Sequence, residues 1–266
     1  MKPFLKWAGG KYRLVERIRE ALPKGNRLIE PFVGSGAVFM NTDHSSYLLS
    51  DVNADLIFLF QQLKEEGPTF IEYCKSFFTA SNNSEEVFYE FREKFNSTKD
   101  PREKAALFVY LNRHCFNGLC RYNSKGKFNV PFGRYKSPPF AEAEMIAFHE
   151  KAKRATFLQS DFRTIMLNAQ SGDVVYCDPP YVPLSKTSNF TDYAAGGFGY
   201  EQQTLLAELA EELRSRGVPV LISNHDTDFT RDAYKAAEIK AFDVQRFISS
   251  NSSNRGKAAE LLAVFS

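Results

Sequence analysis

The run Arg27-Leu28-Ile29-Glu30-Pro31-Phe32-Val33-Gly34-Ser35-Gly36, carried on to Tyr47-Leu48-Leu49-Ser50-Asp51, decides how the chain folds. A short apolar strand is followed by a glycine turn, a short helix and a second strand that ends on an acid. That is the strand–loop–helix–strand unit of a parallel α/β sheet. A glycine turn behind a strand lets backbone approach a ligand closely and offers N–H groups at a helix start. Asp51 stands 17 positions after Gly34, near the spacing at which dinucleotide-binding folds place a ribose-binding acid. By itself, the same loop reads equally well as a tight structural turn. It has two glycines rather than three and no Walker Lys-Ser/Thr behind it, so it favours an adenosyl ligand over a diphosphate.

Working outward, the strand signal stops after Asp51. From Ala54 to His114 the apolar residues keep helical spacing, as in Leu56, Leu59, Phe60 and Leu63. Asp100-Pro101-Arg102-Glu103 reads as a capped helix start. Cys115 to Pro139, rich in Gly, Asn, Arg and aromatics, reads as an ordered loop or hairpin. Strand patterns return at Ala155–Gln159, Asp173–Cys177 and Val218–Ser223. A final antiparallel pair is expected at Lys240–Ile248 and Ala259–Phe265, and a long helix at Tyr200–Arg216, ended by Gly217. The expected architecture is a Rossmann-like α/β sheet domain, residues 1–53 and 145–266, interrupted by a mostly helical insertion, residues 54–144.

The 266 residues are 43% hydrophobic, enough for a sizeable core. No apolar run reaches the roughly 20 residues of a membrane helix, and no signal-peptide pattern follows Met1. A soluble, cytoplasmic protein is expected, with no membrane role and no obligate protein partner. Cys74, Cys115, Cys120 and Cys177 form no CxxC pair, so reduced structural thiols are expected and no metal. The net charge is only +2, yet Arg113, Arg121, Lys125, Lys127, Arg134 and Lys136 crowd Leu111–Ser137 without an acid. Segregated basic charge suits a polyanion-facing side, or else a solvated loop.

Asp178-Pro179-Pro180-Tyr181 directly follows the strand Val174-Val175-Tyr176-Cys177. Open α/β sheets bind ligands at the carboxyl ends of their strands. Two prolines there stiffen the backbone and offer carbonyls without N–H donors. The exocyclic amine of adenine is a poor nucleophile because its lone pair is delocalised into the ring. Two acceptors for its two N–H bonds would let the nitrogen pyramidalise. The Asp178 carboxylate and the Pro179 carbonyl can be those acceptors, and Tyr181 a stacking face. The bland alternative is a strand-end turn with an aromatic anchor.

Asp178 to Tyr181 together with the Phe32-Val33-Gly34-Ser35-Gly36 loop resembles the signature pair of amino-methylating DNA methyltransferases. More closely, the chain resembles the Dam family of DNA adenine methyltransferases over nearly its whole length. The further segments are Phe4-Leu5-Lys6-Trp7-Ala8-Gly9-Gly10-Lys11, Asn117-Gly118-Leu119-Cys120-Arg121-Tyr122-Asn123, Phe128-Asn129-Val130-Pro131-Phe132-Gly133-Arg134-Tyr135 and Ile222-Ser223-Asn224-His225-Asp226. Read alone, Trp7 is a core aromatic and Lys11 a solvated lysine at a helix start.

The resemblance implies an enzyme that methylates N6 of an adenine flipped out of double-stranded DNA, at GATC, using S-adenosylmethionine. It implies cofactor contacts at Trp7, Lys11, Glu30, Phe32, Gly34, Asp51, Asp161, Phe162 and Asp178, and catalytic roles for Asp178, Pro179 and Tyr181. It implies a DNA-reading set of Lys6, Phe116, Asn117, Leu119, Arg121, Asn123, Pro131, Arg134 and Tyr135. Where the family usually has Tyr-Gly-Tyr-Asn, this chain has His114-Cys115-Phe116-Asn117, which loses a hydroxyl but keeps the wedge. Lys125, Lys127, Arg134 and Lys136 suit phosphates, which position without specifying. Residues Leu184–Gly199 are expected to order over the flipped base. The rival readings are an RNA or free-base methyltransferase, a repressor on an inactive scaffold, and, more distantly, a nicotinamide oxidoreductase.

Overall fold

A computed structural model of the chain describes residues 1–183, 198–245 and 257–266. Its strands are β1 (Arg27–Glu30), β2 (Ser46–Asp51), β3 (Ala155–Gln159), β4 (Asp173–Cys177), β5 (Val220–His225), β6 (Glu238–Gln245) and β7 (Lys257–Phe265). They form one seven-stranded sheet in the order β3-β2-β1-β4-β5-β7-β6. β4 lies parallel to β1, pairing Ile29 with Val175, and parallel to β5, pairing Cys177 with Ile222. β7 runs antiparallel to both β5 and β6. The chain leaves β1 toward one edge and returns to lay β4 on the other side of β1. That reversal is the switch point at which open α/β sheets take ligands, outside the carboxyl ends of the strands. Glu30 and Cys177-Asp178 stand at those ends.

The helices are α1 (Val15–Ala21), α2 (Ala37–Asn41), α3 (Ala54–Glu66), α4 (Pro68–Lys75), α5 (Glu85–Ser97), α6 (Pro101–His114), α7 (Glu142–Ala152), α8 (Phe162–Leu167), α9 (Tyr200–Ser215) and α10 (Asp228–Ala233). Among them, none is long and apolar enough to cross a membrane. Their starts follow from local chemistry. Asn53 accepts from the Leu56 N–H and Ser84 from the Val87 N–H. Asp100 accepts from Arg102 and Glu103, with Pro101 in the first turn, as its sequence predicts.

The chain divides into two compact units. The first holds residues 1–15, 33–43 and 49–159; the second holds 16–32, 44–48 and 160–266. This packing division crosses the functional division expected at 53/54 and 144/145, because α3 is tied back onto β3. Gln61 Nε2 donates to Phe157 O at 2.8 Å, and Lys64 Nζ to Ala155 O at 2.8 Å. Phe4, Phe39, Phe60, Phe148 and Phe157 interlock beside them, with ring centroids 4.7 to 6.2 Å apart. Each such buried ring contributes roughly 1.5–3 kcal/mol.

In the second unit, Val175, Cys177, Val220, Ile222 and Leu261 of the sheet pack with Leu206, Leu209, Ala210 and Leu213 of α9. Arg27 and Asp173 open β1 and β4 as a two-bond ion pair, at 2.9 and 2.6 Å.

Some expectations shift. β5 begins at Val220, not Val218, because the Val218 N–H turns back to Leu213 O and Pro219 follows. β6 begins two residues before Lys240. Ile248 and the span 184–197 lie outside the described residues.

Candidate active site

In the first unit, the turn Trp7 to Gly10 is closed by the Gly10 N–H on Trp7 O at 3.1 Å. Lys11 is 7% exposed and its Nζ donates to Gly9 O at 2.7 Å. It is therefore not the solvated lysine of the bland reading: its charge is held against the turn. Gly34 has φ +48°, and a Cβ there would stand 3.0 Å from Trp7 Nε1. The indole edge thus lies against bare backbone, and only glycine permits both the conformation and the approach.

Behind this turn, Asp51 Oδ2 accepts from the Gly34 N–H at 3.2 Å, and Oδ1 from the Asn53 N–H at 3.0 Å. Burial pushes the Asp51 carboxyl above its ordinary pKa, while the N–H groups of Asn53, Gly34 and Val52 pull it back. Two carboxylate oxygens offer about four acceptor positions. These donors leave capacity for a hydroxyl.

In the second unit, Glu30 ends β1 almost fully buried. Phe32 stacks on Phe162 with centroids 5.5 Å apart and meets the edge of Phe198 at 5.3 Å. Asp161 is exposed and caps α8, its Oδ1 accepting from Arg163 at 2.8 Å and Thr164 at 3.2 Å. Asp178 is half-buried at the end of β4. Its Oδ1 accepts from Ser223 Oγ at 3.0 Å, and the Tyr176 hydroxyl lies 3.1 Å from the same Oγ. Tyr181 sets its ring edge-on to His225, centroids 4.8 Å apart, and its hydroxyl donates to Glu260 at 3.4 Å. Burial, then the nearby Asp178 charge, holds the Tyr181 phenol well above its usual pKa, so it stays neutral.

The expected reading stretch is a hairpin in the first unit. Antiparallel bridges join Cys115 to Phe132 and Tyr122 to Phe128. Asn123 Oδ1 accepts from the N–H groups of Lys125 and Lys127, so this side chain shapes the tip. Tyr122 donates to Asp55 at 2.8 Å and Asn53 Nδ2 to Cys120 Sγ at 3.5 Å, which ties the hairpin to the start of α3. Phe116 is 50% exposed, and Asn117 has φ +54° with its N–H on the Tyr135 hydroxyl at 2.9 Å. Lys6 crosses Gly118, its Nζ 4.0 Å from the Tyr135 ring centroid and 3.4 Å from Arg113 O. Burial lowers the Lys6 pKa. Leu119 is half-buried and Pro131 exposed, its carbonyl holding the Phe116 N–H. Arg121 is exposed and braced on Asn129 Oδ1 at 2.9 Å. Arg134 is exposed, pairs with Glu85 at 3.3 Å and has φ +54°.

One charge leaves the basic face. Arg113 is buried and donates to the carbonyls of Pro139 and Phe4, so it pins the N-terminal segment rather than meeting a polyanion. Reading the sequence singled out Ser223 and Asn224 within a shared segment but gave them no role, and it missed Gln203 and Tyr234; these four touch the Asp178–Val182 segment or each other. Their signal was present as polar residues in otherwise apolar stretches, Ser223-Asn224 near the end of β5 and Gln203 on the apolar face of α9.

A mixed sheet whose central strands β1, β4 and β5 run parallel, with a hydrogen-bonded carboxylate and a proline turn at its switch point, is an α/β fold suited to hold a polar group of a ligand there. The comparisons give the class its name. The family described as D12 class N6 adenine-specific DNA methyltransferase matches residues 7–248. The DNA adenine methylase of Escherichia coli (strain K12) is 52% identical over 264 residues, covering 99% of this chain and 95% of that protein. Those of Serratia marcescens and Vibrio cholerae serotype O1 (strain ATCC 39315 / El Tor Inaba N16961) are each 51% identical over 265 residues. They cover 99% of this chain and 98% and 96% of those proteins.

The chain belongs to the D12 class N6 adenine-specific DNA methyltransferases. It is an enzyme that methylates adenine in DNA. The Gly34 turn fits an adenosyl group: it keeps backbone bare beside an indole and a carboxylate with acceptor capacity.

Proposed function

We propose that this enzyme methylates N6 of an adenine flipped out of duplex DNA, at the sequence GATC. The observation that carries the reading is the acceptor arrangement at the end of β4. Asp178 Oδ1 is engaged by Ser223, and the Pro180 carbonyl takes Gln203 Nε2 at 2.7 Å. The Asp178 carboxylate and the Pro179 carbonyl are the acceptors assigned to the two N–H bonds of the amine. With both bonds held, the nitrogen lone pair is released from the ring and aimed along one direction. Bound S-adenosylmethionine supplies a methyl group already activated by its sulfonium. The freed lone pair would take up that methyl group while the S–C pair stays on sulfur, and Asp178 would receive the surplus proton along its hydrogen bond. Tyr181 gives the base a face to stack on, which offsets the few kcal/mol of unstacking.

Trp7, Lys11, Gly34 and Asp51 are assigned to the cofactor, together with Glu30, Phe32, Asp161 and Phe162. The shared segments carry this assignment, and the buried Lys11 and the Asp51 acceptors agree with it. Residues 54–144 are the target-recognition part. There Phe116 and Asn117 enter the duplex, while Lys6, Leu119, Arg121, Asn123, Pro131 and Tyr135 meet bases, and Arg134 phosphate. The four cysteines are free thiols, in keeping with a cytoplasmic setting.

The test is to treat plasmid DNA with purified protein and S-adenosylmethionine, then challenge it with a nuclease blocked by GATC methylation. Protection is expected from the wild type and none from Asp178→Ala, with RNA of the same sequence left unmodified. Unprotected DNA at high enzyme concentration overturns the GATC assignment. Turnover by Asp178→Ala overturns its acceptor role.

A further inference from the structure

Three buried polar side chains sit directly behind the proline turn. Asn224, at 0% exposure, is the last residue but one of β5; Gln203, at 2%, lies on α9; Tyr234, at 0%, follows α10. Asn224 Oδ1 accepts from two backbone groups, the Val182 N–H at 3.1 Å and the His225 N–H at 2.9 Å. That fixes which way the amide faces. Its Nδ2 must donate away from the turn, and it does so to Gln203 Oε1 at 3.0 Å and to the Tyr234 hydroxyl at 3.0 Å. Gln203 Oε1 also accepts from the Tyr234 hydroxyl at 3.3 Å. The second amide is thereby fixed as well, and its Nε2 donates to Pro180 O at 2.7 Å. Both Asn224 hydrogens and both oxygen positions are used.

This network grips the catalytic segment on either side of Tyr181: the Pro180 carbonyl before it and the Val182 N–H after it. A carbonyl held at Pro180 sets the plane of the peptide to Tyr181, and with it the aim of the Pro179 carbonyl one peptide earlier. A fully satisfied polar network in an apolar core has one low-energy arrangement. An apolar filling of the same volume would tolerate several.

We propose that Gln203, Asn224 and Tyr234 are positioning residues for methyl transfer. They hold the Pro179 carbonyl and the Tyr181 ring in the geometry the amine requires, and none of them touches the substrate. The inference rests on the reading of Asp178–Tyr181 as the site of transfer.

The test uses the full chain with duplex DNA and S-adenosylmethionine, with enzyme in excess, so that the single-turnover rate reports the chemical step. Gln203→Met keeps the volume and removes the donor to Pro180. It is expected to lower that rate on the order of 10–100-fold, as misplacement of a reacting group does. The dissociation constants for S-adenosylmethionine and DNA should stay within about threefold. Tyr234→Phe removes only one hydroxyl and keeps the packing. It should lower the rate about three- to tenfold, with thermal unfolding and circular dichroism confirming a folded chain.

Asn224→Asp and Gln203→Glu keep shape but put an acceptor where the network needs a donor, and both should lower the single-turnover rate as Gln203→Met does. Should Gln203→Met fail to fold, Tyr234→Phe decides. An unchanged single-turnover rate in a folded Tyr234→Phe or Gln203→Met protein overturns the proposal. So does a rate loss matched by an equal loss of cofactor or DNA binding. Asp178→Ala, run beside them, separates the two readings. If it stays active, the assignment of the transfer site has failed. If it is inactive while the network variants are normal, only the positioning role has failed.

Discussion

Ser223 donates its hydroxyl proton to Oδ1 of Asp178 across 3.0 Å, a residue near the end of β5 reaching the carboxylate just past the end of β4. Two consequences follow for the carboxylate. Its rotation about the Cβ–Cγ bond is restrained, and the serine adds a neutral donor to the carboxylate proposed to hold the amine. The Tyr176 hydroxyl lies 3.1 Å from the same Ser223 Oγ, where either group can donate, and Cys177 O lies 3.4 Å away, so Asp178 is the nearest acceptor of the serine proton. Substituting Ser223→Ala should therefore slow single-turnover methyl transfer about tenfold, the value of one charge-assisted hydrogen bond. Cofactor affinity should hardly change. A variant with wild-type turnover would show that Asp178 is oriented by something else.

His114 gives a pH dependence with a definite sign. It is buried, stacked on Tyr110 at 3.9 Å between centroids, with Nδ1 on Tyr110 O at 2.8 Å. Burial lowers its pKa to about 4, and the charges of Lys6 and Arg113 add to the effect. An unfolded histidine titrates near 6.5. The folded form therefore disfavours the proton. The stability this provides is complete above about pH 6.5 and is lost as pH falls from there toward 4. The total at stake is on the order of 3 kcal/mol. Acids titrate in the same window, so the comparison is between proteins. Unfolding of His114→Phe should fall less steeply between pH 6.5 and 4 than that of the wild type. Parallel curves would mean that His114 is not protonated on unfolding.

Arg121 should decide sequence choice more than affinity. Its Nε and one terminal nitrogen are spent on Asn129, at 2.9 and 3.4 Å, which braces the guanidinium upright on the exposed hairpin. Three further N–H donors remain, enough for the bidentate contact to guanine. Arg121→Ala is expected to reduce the preference for GATC over sites differing at one base by roughly 10–100-fold, the worth of one bidentate pair. Binding to unrelated DNA should change only a few-fold. Asn129→Ala should act in the same direction and more weakly, through loss of the brace. An equal loss on all sequences, with the salt dependence reduced by about one charge, would make Arg121 a phosphate contact instead.

These residues also show what was legible beforehand. Periodicity placed α3, periodicity with the Asp100 cap placed α6, and the apolar runs placed β1 and β4, because those signals are local. The Gly34 turn and the Asp178 segment were legible as contiguous motifs. The supporting residues were not. Gln203 is nearest to Pro180 in space but 23 positions away in the chain, and Asn224 reaches Val182 across 42. A buried amide on an amphipathic helix announces a partner without naming it. Arg113 misled for the same reason: composition counts a charge, and only packing shows that it is turned inward onto Pro139 and Phe4.

Gly34 offers the sharpest test of the cofactor assignment, because two separable costs meet there. Its φ of +48° strains any L residue by roughly 1–2 kcal/mol. A Cβ would also press on Trp7, 3.0 Å from Nε1 and 3.2 Å from Cδ1. Gly217, which ends α9, has φ +74° and nothing within 4 Å of a Cβ, so it carries the strain without the contact. Gly34→Ala and Gly217→Ala should therefore lose comparable backbone stability. Only Gly34→Ala should displace the indole and raise the dissociation constant for S-adenosylmethionine, by roughly tenfold for about 1.4 kcal/mol of lost contact. At saturating cofactor its methyl-transfer rate should recover, since Asp178 and Pro179 are untouched. Equal cofactor affinity in the two variants, measured by titration calorimetry, would remove Trp7 and the Gly34 turn from the cofactor site.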